Sequence, residues 1–178
     1  KYKISKHLMY EASLLRGSEP AEIPTYLGLN EITVHSQPPF CAIDLILEVE
    51  HQAVAQFTGD GLILSTPIGS TAYNLSAGGP ILAQELDAFV VTTISPHTLT
   101  SRPLVESADN EFRISLGPRS TSALAILDGH SMWTLGTYDF LVVRRAPVRF
   151  LRVKLPMRSY YRTLRDKLRW ATPPEYRE

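Results

Sequence analysis

Residues 59–80 read GDGLILSTPIGSTAYNLSAGGP, and the fold is worked out from this stretch. An apolar run at residues 62–65 predicts a strand. A loop follows, and Ser70 is suited to cap a short helix over residues 71–77, which the Gly-Gly-Pro at 78–80 would end. A strand–loop–helix turn exposes backbone N–H groups that favour an anion or a polar ligand. The stretch holds no phosphate-loop motif, so a tight turn with a capped helix explains its composition slightly better.

Two side chains within the stretch suit a nucleotide. Tyr73 can stack on a flat ring, and Asp60 can accept hydrogen bonds from ribose or amide hydrogens. The Asp60-Gly61 pair also lies between β-prone runs at 53–57 and 62–65, a pattern that predicts a hairpin.

Outside this stretch the chain predicts short strands separated by turns. They lie at residues 2–15, 26–35, 42–49, 89–94, 111–116, 122–128, 139–145 and 148–154. Asp128-Gly129 and Leu135-Gly136 are predicted turns, and residues 159–170 predict one amphipathic helix. The pattern predicts a mainly β fold of the β-sandwich type, with one short internal helix and one C-terminal helix.

The composition excludes several classes of protein. With 178 residues, 44% of them hydrophobic, the chain has enough apolar surface for a sizeable core. No apolar run is long enough for a membrane helix, and the single Cys41 excludes an internal disulfide framework and a cysteine-rich zinc site. We therefore expect a cytoplasmic protein without a membrane partner. Residues 144–178 carry a net charge of +8, but docking on an acidic surface explains them better than nucleic-acid binding does.

Two catalytic arrangements can be drawn from scattered residues. Ser70, His97 and Asp128 would make a hydrolase triad, but no Gly-x-Ser-x-Gly elbow surrounds the serine. The five histidines have no metal-ligand spacing, so we predict no metal site within the chain.

The stretch at 59–80 closely resembles the signature of the NAD kinase family, which runs Gly-Asp-Gly, a short apolar run, Ser-Thr-Pro-Thr-Gly-Ser-Thr-Ala-Tyr and Ser-Ala-Gly-Gly-Pro. Further parts of the chain resemble the family's other motifs, and the resemblance covers nearly the whole chain. These parts are Leu29-Asn30-Glu31, residues 95–99 with 102–104, residues 127–129 and the terminal segment 161–170.

The resemblance implies transfer of a phosphoryl group from ATP or polyphosphate, with Mg²⁺, to the 2′-hydroxyl of the adenosine ribose of NAD, giving NADP. It also implies that residues 1–156 form the β-rich NAD-binding C-terminal domain. Residues 157–178 would be a helix and tail that pack on an N-terminal α/β domain absent from this chain. The family commonly forms oligomers, so a homodimer or homotetramer is expected.

The same resemblance assigns NAD-binding residues. Asn30 and Glu31 would hold ribose hydroxyls, since an amide and a carboxylate together donate to and accept from a diol. The full predicted set is Asn30, Glu31, Asp60, Thr71, Ala72, Tyr73, Asn74, Ser76 and Asp128. Considered one at a time and without the resemblance, each is better explained as a cap or turn residue.

The chain departs from the family pattern in two places. It lacks the Gly-Gly-Asp-Gly motif, whose Asp is the expected catalytic base, so the base is expected upstream of Lys1 and this segment alone is expected to be inactive. Ile68 stands where the family has Thr or another small hydroxyl residue. The alternatives are a non-catalytic dinucleotide-binding or oligomerisation module, or a related lipid-kinase-like enzyme.

Overall fold

The computed structural model describes residues 2–17, 25–155 and 159–169. The chain divides into two compact units. The larger is His7–Phe150, and the smaller takes its described residues from 1–6 and 151–178. The boundary predicted between residues 156 and 157 stays a prediction, and residues 156–158 and 170–178 lie outside the described residues.

The larger unit contains two six-stranded sheets. In spatial order the first holds β3 (Tyr26–Gly28), β2 (Tyr10–Leu15), β13 (Phe140–Arg145), β10 (Phe112–Leu116), β5 (Ile43–Val49) and β6 (Gln52–Gly59). The second holds β12 (Ser131–Gly136), β11 (Ser122–Leu127), β4 (Glu31–His35), β7 (Gly61–Ser65), β8 (Ala88–Ile94) and β9 (Leu104–Ser107). Neighbouring strands within each sheet pair antiparallel. The predicted mainly β fold is confirmed.

A single apolar core joins the two sheets. Burial alternates along β2 and along β11, as expected for strands with one face on a core. Phe89 of the second sheet packs edge-on against Phe112 of the first, with ring centroids 5.6 Å apart. The arrangement is a β-sandwich, and its core fixes the strand ends that carry the site.

Strand β7 is buried on both faces. Leu62 and Leu64 belong to the core, whereas Ile63 between them is fully buried outside that cluster. Since alternate side chains point to opposite faces, Ile63 faces away from the core. Helix α1 (Tyr73–Ser76) contacts β7, so the chain that follows this strand folds back over it.

The hairpin predicted at Asp60-Gly61 is wrong, because β6 and β7 belong to different sheets. Asp60 alone links them, and its N–H donates to the carbonyl of Ile94 at 2.9 Å. A Cβ on Gly59 would lie 2.8 Å from that same carbonyl, and one on Gly61 would lie 2.1 Å from the carbonyl of Val34. Glycine at these two positions therefore lets the backbone pass close to neighbouring strands where the chain crosses from one sheet to the other.

Other boundaries also differ from the prediction. The region predicted as one strand at 2–15 forms two, β1 (Lys3–His7) and β2, and the region at 26–35 breaks into β3 and β4. Strands β9 and β12 were not predicted, and the turn predicted at Leu135-Gly136 lies within β12. The remaining predicted strands are present within a few residues of their expected ends.

Ser70 is not a helix cap. It lies inside a 3-10 turn, Gly69–Thr71, and is fully buried. Its hydroxyl donates to the carbonyl of Pro67 at 2.7 Å and accepts from the N–H of Leu82 at 3.0 Å. The serine therefore ties the loop before α1 to the chain after it.

The smaller unit pairs β1 with β14 (Phe150–Lys154) and contains the predicted C-terminal helix as α2 (Tyr160–Leu168). The Ser5 hydroxyl donates to the carbonyl of Arg152 at 3.3 Å. Helix α2 has no fully buried residue. No helix within the described ranges is long and apolar enough to cross a membrane.

A buried carboxylate joins β5 to the β10–β11 turn. Asp44 is 2% exposed and accepts two hydrogen bonds from Arg119, at 2.6 and 2.8 Å, and one from the Thr58 hydroxyl at 2.5 Å. Hydrogen bonds from Arg119, and then from Thr58, hold the pKa of Asp44 below its ordinary value. Its stabilising contribution is therefore present at neutral pH and is lost in acid.

We expect Asp44→Asn to lower the free energy of unfolding by about 1–3 kcal/mol at neutral pH, because Arg119 and Thr58 lose a charged acceptor that is itself buried. Urea denaturation would measure this, and the difference from the wild type should shrink below about pH 4. Asp109→Asn is the matched control, since Asp109 makes an exposed ion pair with Arg145. Equal losses from the two substitutions would contradict the prediction.

Candidate functional site

Leu29 and Asn30 join β3 to β4, and together with Glu31, the first residue of β4, they form the segment called here the 29–31 loop. The carboxylate of Asp128 accepts hydrogen bonds from its three backbone N–H groups, at 2.7, 2.8 and 3.1 Å in chain order. Leu29 donates to Oδ2, and the other two donate to Oδ1. One carboxylate therefore satisfies every donor of the loop backbone.

The carbonyls of the 29–31 loop are also engaged. Thr66 donates its hydroxyl to the Leu29 carbonyl at 2.6 Å and its N–H to the Asn30 carbonyl at 2.9 Å. The Glu31 carbonyl accepts from the Tyr10 hydroxyl at 3.2 Å and from the N–H of Asp128 at 3.0 Å. The polar groups that the loop can offer a ligand are thus the side chains of Asn30 and Glu31.

Glu31 carries an unsatisfied oxygen. Its Oε2 is shielded from solvent and has no hydrogen-bond partner in the described structure. Burial, and then the negative charge of Asp128, raise the pKa of Glu31 to about 7. Buried polar atoms without partners are rare in folded proteins, so this oxygen marks a position where a hydroxyl or amide donor would bind.

Asp128 is half-buried and takes part in this site through contacts with protein groups. It begins the predicted Asp-Gly turn between β11 and β12 and has a φ of +47°, followed by Gly129 at +71°. The Tyr10 hydroxyl donates to its Oδ1 at 3.1 Å. The observed partners of Asp128 are protein groups, so direct contact with NAD stays a prediction.

The loop after β7 presses against the 29–31 loop. A Cβ on Gly69 would lie 2.1 Å from the carbonyl oxygen of Asn30 and 2.6 Å from the Ser65 hydroxyl. The Ser65 hydroxyl reaches that carbonyl at 3.3 Å. Glycine at 69 is therefore required for the two loops to meet.

Asn74 is braced within the fold. It is fully buried, its amide nitrogen donates to the carbonyls of Ser70 and Pro80 at 3.0 Å each, and its amide oxygen accepts from Thr92 at 2.6 Å. A Cβ on Gly79 would lie 2.0 Å from that oxygen. With its amide so engaged, Asn74 holds α1 in place, and its predicted contact with NAD stays a prediction.

A cavity of about 550 Å³ lies beside α1 and is lined in part by His35, Asp60 and Tyr73. The Tyr73 ring is 39% exposed and stacks on the His35 ring, with centroids 5.9 Å apart and planes 19° apart. Burial lowers the pKa of His35, so this imidazole is neutral at pH 7. The cavity offers an aromatic surface with a carboxylate at its edge.

Five of the nine predicted site residues fall into two groups. Asn30, Glu31 and Asp128 meet through hydrogen bonds, and Asp60 and Tyr73 share the cavity. The remaining ones follow Ile68 along the chain: Thr71 donates its hydroxyl to the Ile68 carbonyl at 3.3 Å, whereas Ala72 and Ser76 are exposed at either end of α1.

Sequence reasoning missed four contributors. Ser65 and Thr66 do have a local signal, the Ser-Thr-Pro that ends the buried strand in the stretch 59–80. Hydroxyl side chains at the end of a buried strand can form hydrogen bonds with a neighbouring loop. Tyr10 and His35 carry no local sequence signal, because their partners lie far away in the chain.

The described residues form neither the hydrolase triad nor a histidine metal site. Ser70 and Asp128 bond to other groups, as given above, rather than forming a triad with His97. Within residues 2–17, 25–155 and 159–169, no cluster of three or more His, Cys, Asp or Glu side chains could hold a metal ion.

A family model described as the ATP-NAD kinase C-terminal domain matches residues 29–155. The chain belongs to this family. It is 44% identical over 170 residues to the NAD kinase of Rhodopirellula baltica, an alignment that covers 96% of this chain and 54% of the relative. It is 36% identical to the NAD kinase of Carboxydothermus hydrogenoformans, covering 96% and 60%.

Two solved structures share this fold. The fold matches an NAD kinase from Archaeoglobus fulgidus in complex with ATP, with a TM-score of 0.76, 27% identity and coverage of 94% of this chain and 61% of that one. It also matches yeast NADH kinase complexed with NADH, with a TM-score of 0.91 and 23% identity, covering 99% and 53%. The chain thus spans between half and two thirds of the length of each of these four proteins.

Proposed function

We propose that this chain is the NAD-binding part of an NAD kinase. The complete protein transfers a phosphoryl group to the 2′-hydroxyl of the adenosine ribose of NAD and so forms NADP. The observation that carries the proposal is the 29–31 loop, whose backbone is fully engaged while Glu31 keeps a shielded oxygen without a partner. The family membership supports the same reaction.

The loop fits a ribose diol. In this proposal the Asn30 amide donates to one ribose oxygen, and the Glu31 carboxylate accepts from the hydroxyls. A hydrogen bond to an ionised group is worth about 1.5–3 kcal/mol, enough to orient a sugar. The pKa of Glu31, about 7, falls when a donor reaches the carboxylate, because hydrogen bonding favours the charged form.

The cavity beside α1 fits the flat rings of a dinucleotide. We assign Tyr73 to stacking, Asp60 to the cavity edge, and Thr71, Ala72, Asn74 and Ser76 to the surrounding wall and its support. Asp128 contributes by holding the 29–31 loop. Ile68 removes one hydroxyl from the loop before α1, and this affects the choice of phosphate donor.

The transfer forms a bond between the ribose 2′-oxygen and the γ-phosphorus and breaks the bond from that phosphorus to the β–γ bridging oxygen. The proton of the 2′-hydroxyl goes to a base. We assign none of the described residues as that base and place it in the part of the relatives that this chain does not span. The role of this chain is positioning of the acceptor, on which phosphoryl transfer largely depends.

ATP is the proposed donor, with polyphosphate as the alternative, and the Archaeoglobus relative was crystallised with ATP. Mg²⁺ would accompany the donor. The described residues contain no cluster of His, Cys, Asp or Glu side chains suited to hold that ion.

The setting of the protein is part of the same proposal. We place it in the cytoplasm, as a homodimer or homotetramer, without membrane or nucleic-acid partners. Residues 1–156 would form the NAD-binding domain, and residues 157–178 would pack on an N-terminal α/β domain. Tyr161 on α2 is 77% exposed and suits such a packing surface.

The test uses the complete protein with NAD, ATP and Mg²⁺, and it detects NADP through an NADP-specific dehydrogenase. The 178-residue chain alone serves as a parallel sample, and polyphosphate replaces ATP in a second series. We expect NADP from the complete protein and none from the chain alone. NAD binding without NADP, with either donor, would contradict the kinase and favour a non-catalytic binding module.

We expect Tyr73→Ala to raise the Kd for NAD about tenfold, because an aromatic contact worth about 0.5–1.5 kcal/mol is lost. Isothermal titration calorimetry on the complete protein measures this, and Tyr73→Phe should retain the affinity. Tyr138→Ala is the control, since Tyr138 is 79% exposed in the turn before β13. An unchanged Kd for Tyr73→Ala would remove the ring from the site.

A further inference from the structure

Two parts of the chain that are distant in sequence, Tyr10 and Asp128, meet behind the 29–31 loop. Asp128 contacts the loop across about a hundred residues of sequence, with separations of 97–99. Tyr10 reaches both, because its hydroxyl donates to the Glu31 carbonyl and to Asp128 Oδ1. A local loop alone would not need such partners, so its shape is set by tertiary contacts.

Tyr10 is built into this position. The residue is fully buried between the sheets, and a Cβ on Gly28 would lie 2.0 Å from its ring. Glycine at 28 thus leaves the space through which the tyrosine reaches Asp128. The phenol cannot move without displacing core residues, so Asp128 is held from the core side.

The charges around Glu31 reinforce this arrangement. Asp128 is the charged group that acts on Glu31, whereas the neutral Tyr10 phenol donates to the carbonyl of Glu31 and to Asp128. The ion pairs found in the described parts of the chain include neither carboxylate. Asp128 accepts hydrogen bonds from N–H and O–H donors, and these contacts hold its carboxylate close to Glu31.

We propose that Asp128 is a positioning residue that holds the 29–31 loop in its binding shape and sets the charge environment of Glu31, with Tyr10 fixing Asp128 in place. The proposal rests on the proposed function, because the ligand that Glu31 binds is the ribose of NAD. It assigns Asp128 a role through Glu31 rather than a direct contact with the dinucleotide.

The role of Asp128 has a pH signature. Ribose hydroxyls donate to an ionised Glu31, so NAD affinity should rise with pH through about 7, where Glu31 loses its proton. Replacing Asp128 by Asn removes the negative charge that raises the pKa of Glu31. The midpoint of the affinity profile should then move to lower pH, whereas a residue with a purely structural role would leave it unchanged.

The experiment measures the Kd for NAD by calorimetry between about pH 5.5 and 8.5 on the complete protein, bracketing the pKa of Glu31. It also measures hydrogen exchange of the peptide containing the 29–31 loop, without NAD. The variants are Asp128→Asn, Tyr10→Phe and the control Asp139→Asn. Asn tolerates the positive φ at 128, and Asp139 is a comparable turn carboxylate that accepts from Gly136 and Arg16 away from the loop.

Asp128→Asn is expected to raise the Kd about tenfold at about pH 8, speed exchange of the loop and lower the midpoint by about one pH unit. Tyr10→Phe should speed exchange and raise the Kd about threefold without moving the midpoint, because it removes a hydroxyl and no charge. Asp139→Asn should leave the Kd, the midpoint and the loop exchange at wild-type values.

Two results would overturn the proposal. One is wild-type exchange and affinity in Asp128→Asn. The other is lost affinity with unchanged exchange and midpoint, which would make Asp128 a direct ligand contact. If the wild-type protein binds no NAD at any pH, the proposed function fails instead, and faster exchange in Asp128→Asn still supports the positioning of the loop.

Discussion

Gly69→Ala is expected to weaken NAD binding by about a hundredfold and to lower the free energy of unfolding by about 2–3 kcal/mol. The added methyl would lie 2.1 Å from the carbonyl oxygen of Asn30. Retreat of that carbonyl would break the hydrogen bond that it accepts from the N–H of Thr66 at 2.9 Å. The 29–31 loop must therefore shift, and Glu31 shifts with it. Calorimetry with NAD and urea denaturation of the complete protein measure the two effects.

Gly136→Ala is the matched control for this prediction. A Cβ there would lie 3.4 Å from Asp139 Oδ2, which is ordinary contact. The control should keep its NAD affinity and lose less than about 1 kcal/mol, the cost typical of a benign substitution. A Gly69→Ala protein with wild-type affinity would show that the two loops are not locked together.

Glu31→Gln is expected to have opposite effects on binding and on stability. NAD affinity should fall about 10- to 100-fold, because hydrogen bonds to a charged acceptor become bonds to a neutral amide. At about pH 8 the same variant should be more stable than the wild type by about 1 kcal/mol. Active sites often retain such destabilising groups because function requires them.

The sign of the stability change follows from the raised pKa of Glu31. The folded protein keeps its proton up to about pH 7, whereas the unfolded chain loses it near the ordinary value of 4.5. The wild type therefore loses stability as pH rises between these values and stays at that level above them. Glutamine does not titrate, so the advantage of the variant should be absent near pH 4 and full above about pH 7.

Thermal unfolding across this pH range would show the effect, with Glu48→Gln on β5 as a control carboxylate outside the loop. A stability difference that does not change with pH would contradict the charge argument. Unchanged NAD affinity in Glu31→Gln would remove Glu31 from the ribose contact.

Much of the fold could be predicted because its strands carry local signals. Apolar runs bounded by turn residues fixed β5, β8, β10, β11 and β13. The crossing between sheets at Asp60 could not be predicted from the sequence. An Asp-Gly pair favours a hairpin turn, but it also suits a site where two backbone segments come into close contact. The sequence pattern does not distinguish these two uses, and only the pairing of β6 with β5 and of β7 with β4 and β8 decides between them.

The site shows the same division. The resemblance selected Asn30, Glu31 and Asp128, and the structure joins them through hydrogen bonds. What each one does could not be predicted. Asp128 is a partner of the loop backbone, and its other partner, Tyr10, lies more than a hundred residues earlier in the chain. Asn74 was predicted as a ligand contact from its place in the quoted stretch, but its amide is occupied by protein groups.

The engagement of all six backbone polar groups of the 29–31 loop has a thermodynamic consequence. The conformational entropy of this segment is lost when the chain folds and not when a ligand arrives. Association at this loop should therefore carry only a small entropic penalty from ordering the backbone. Affinity and folding stability become coupled quantities here, so substitutions that loosen the loop should lower both together.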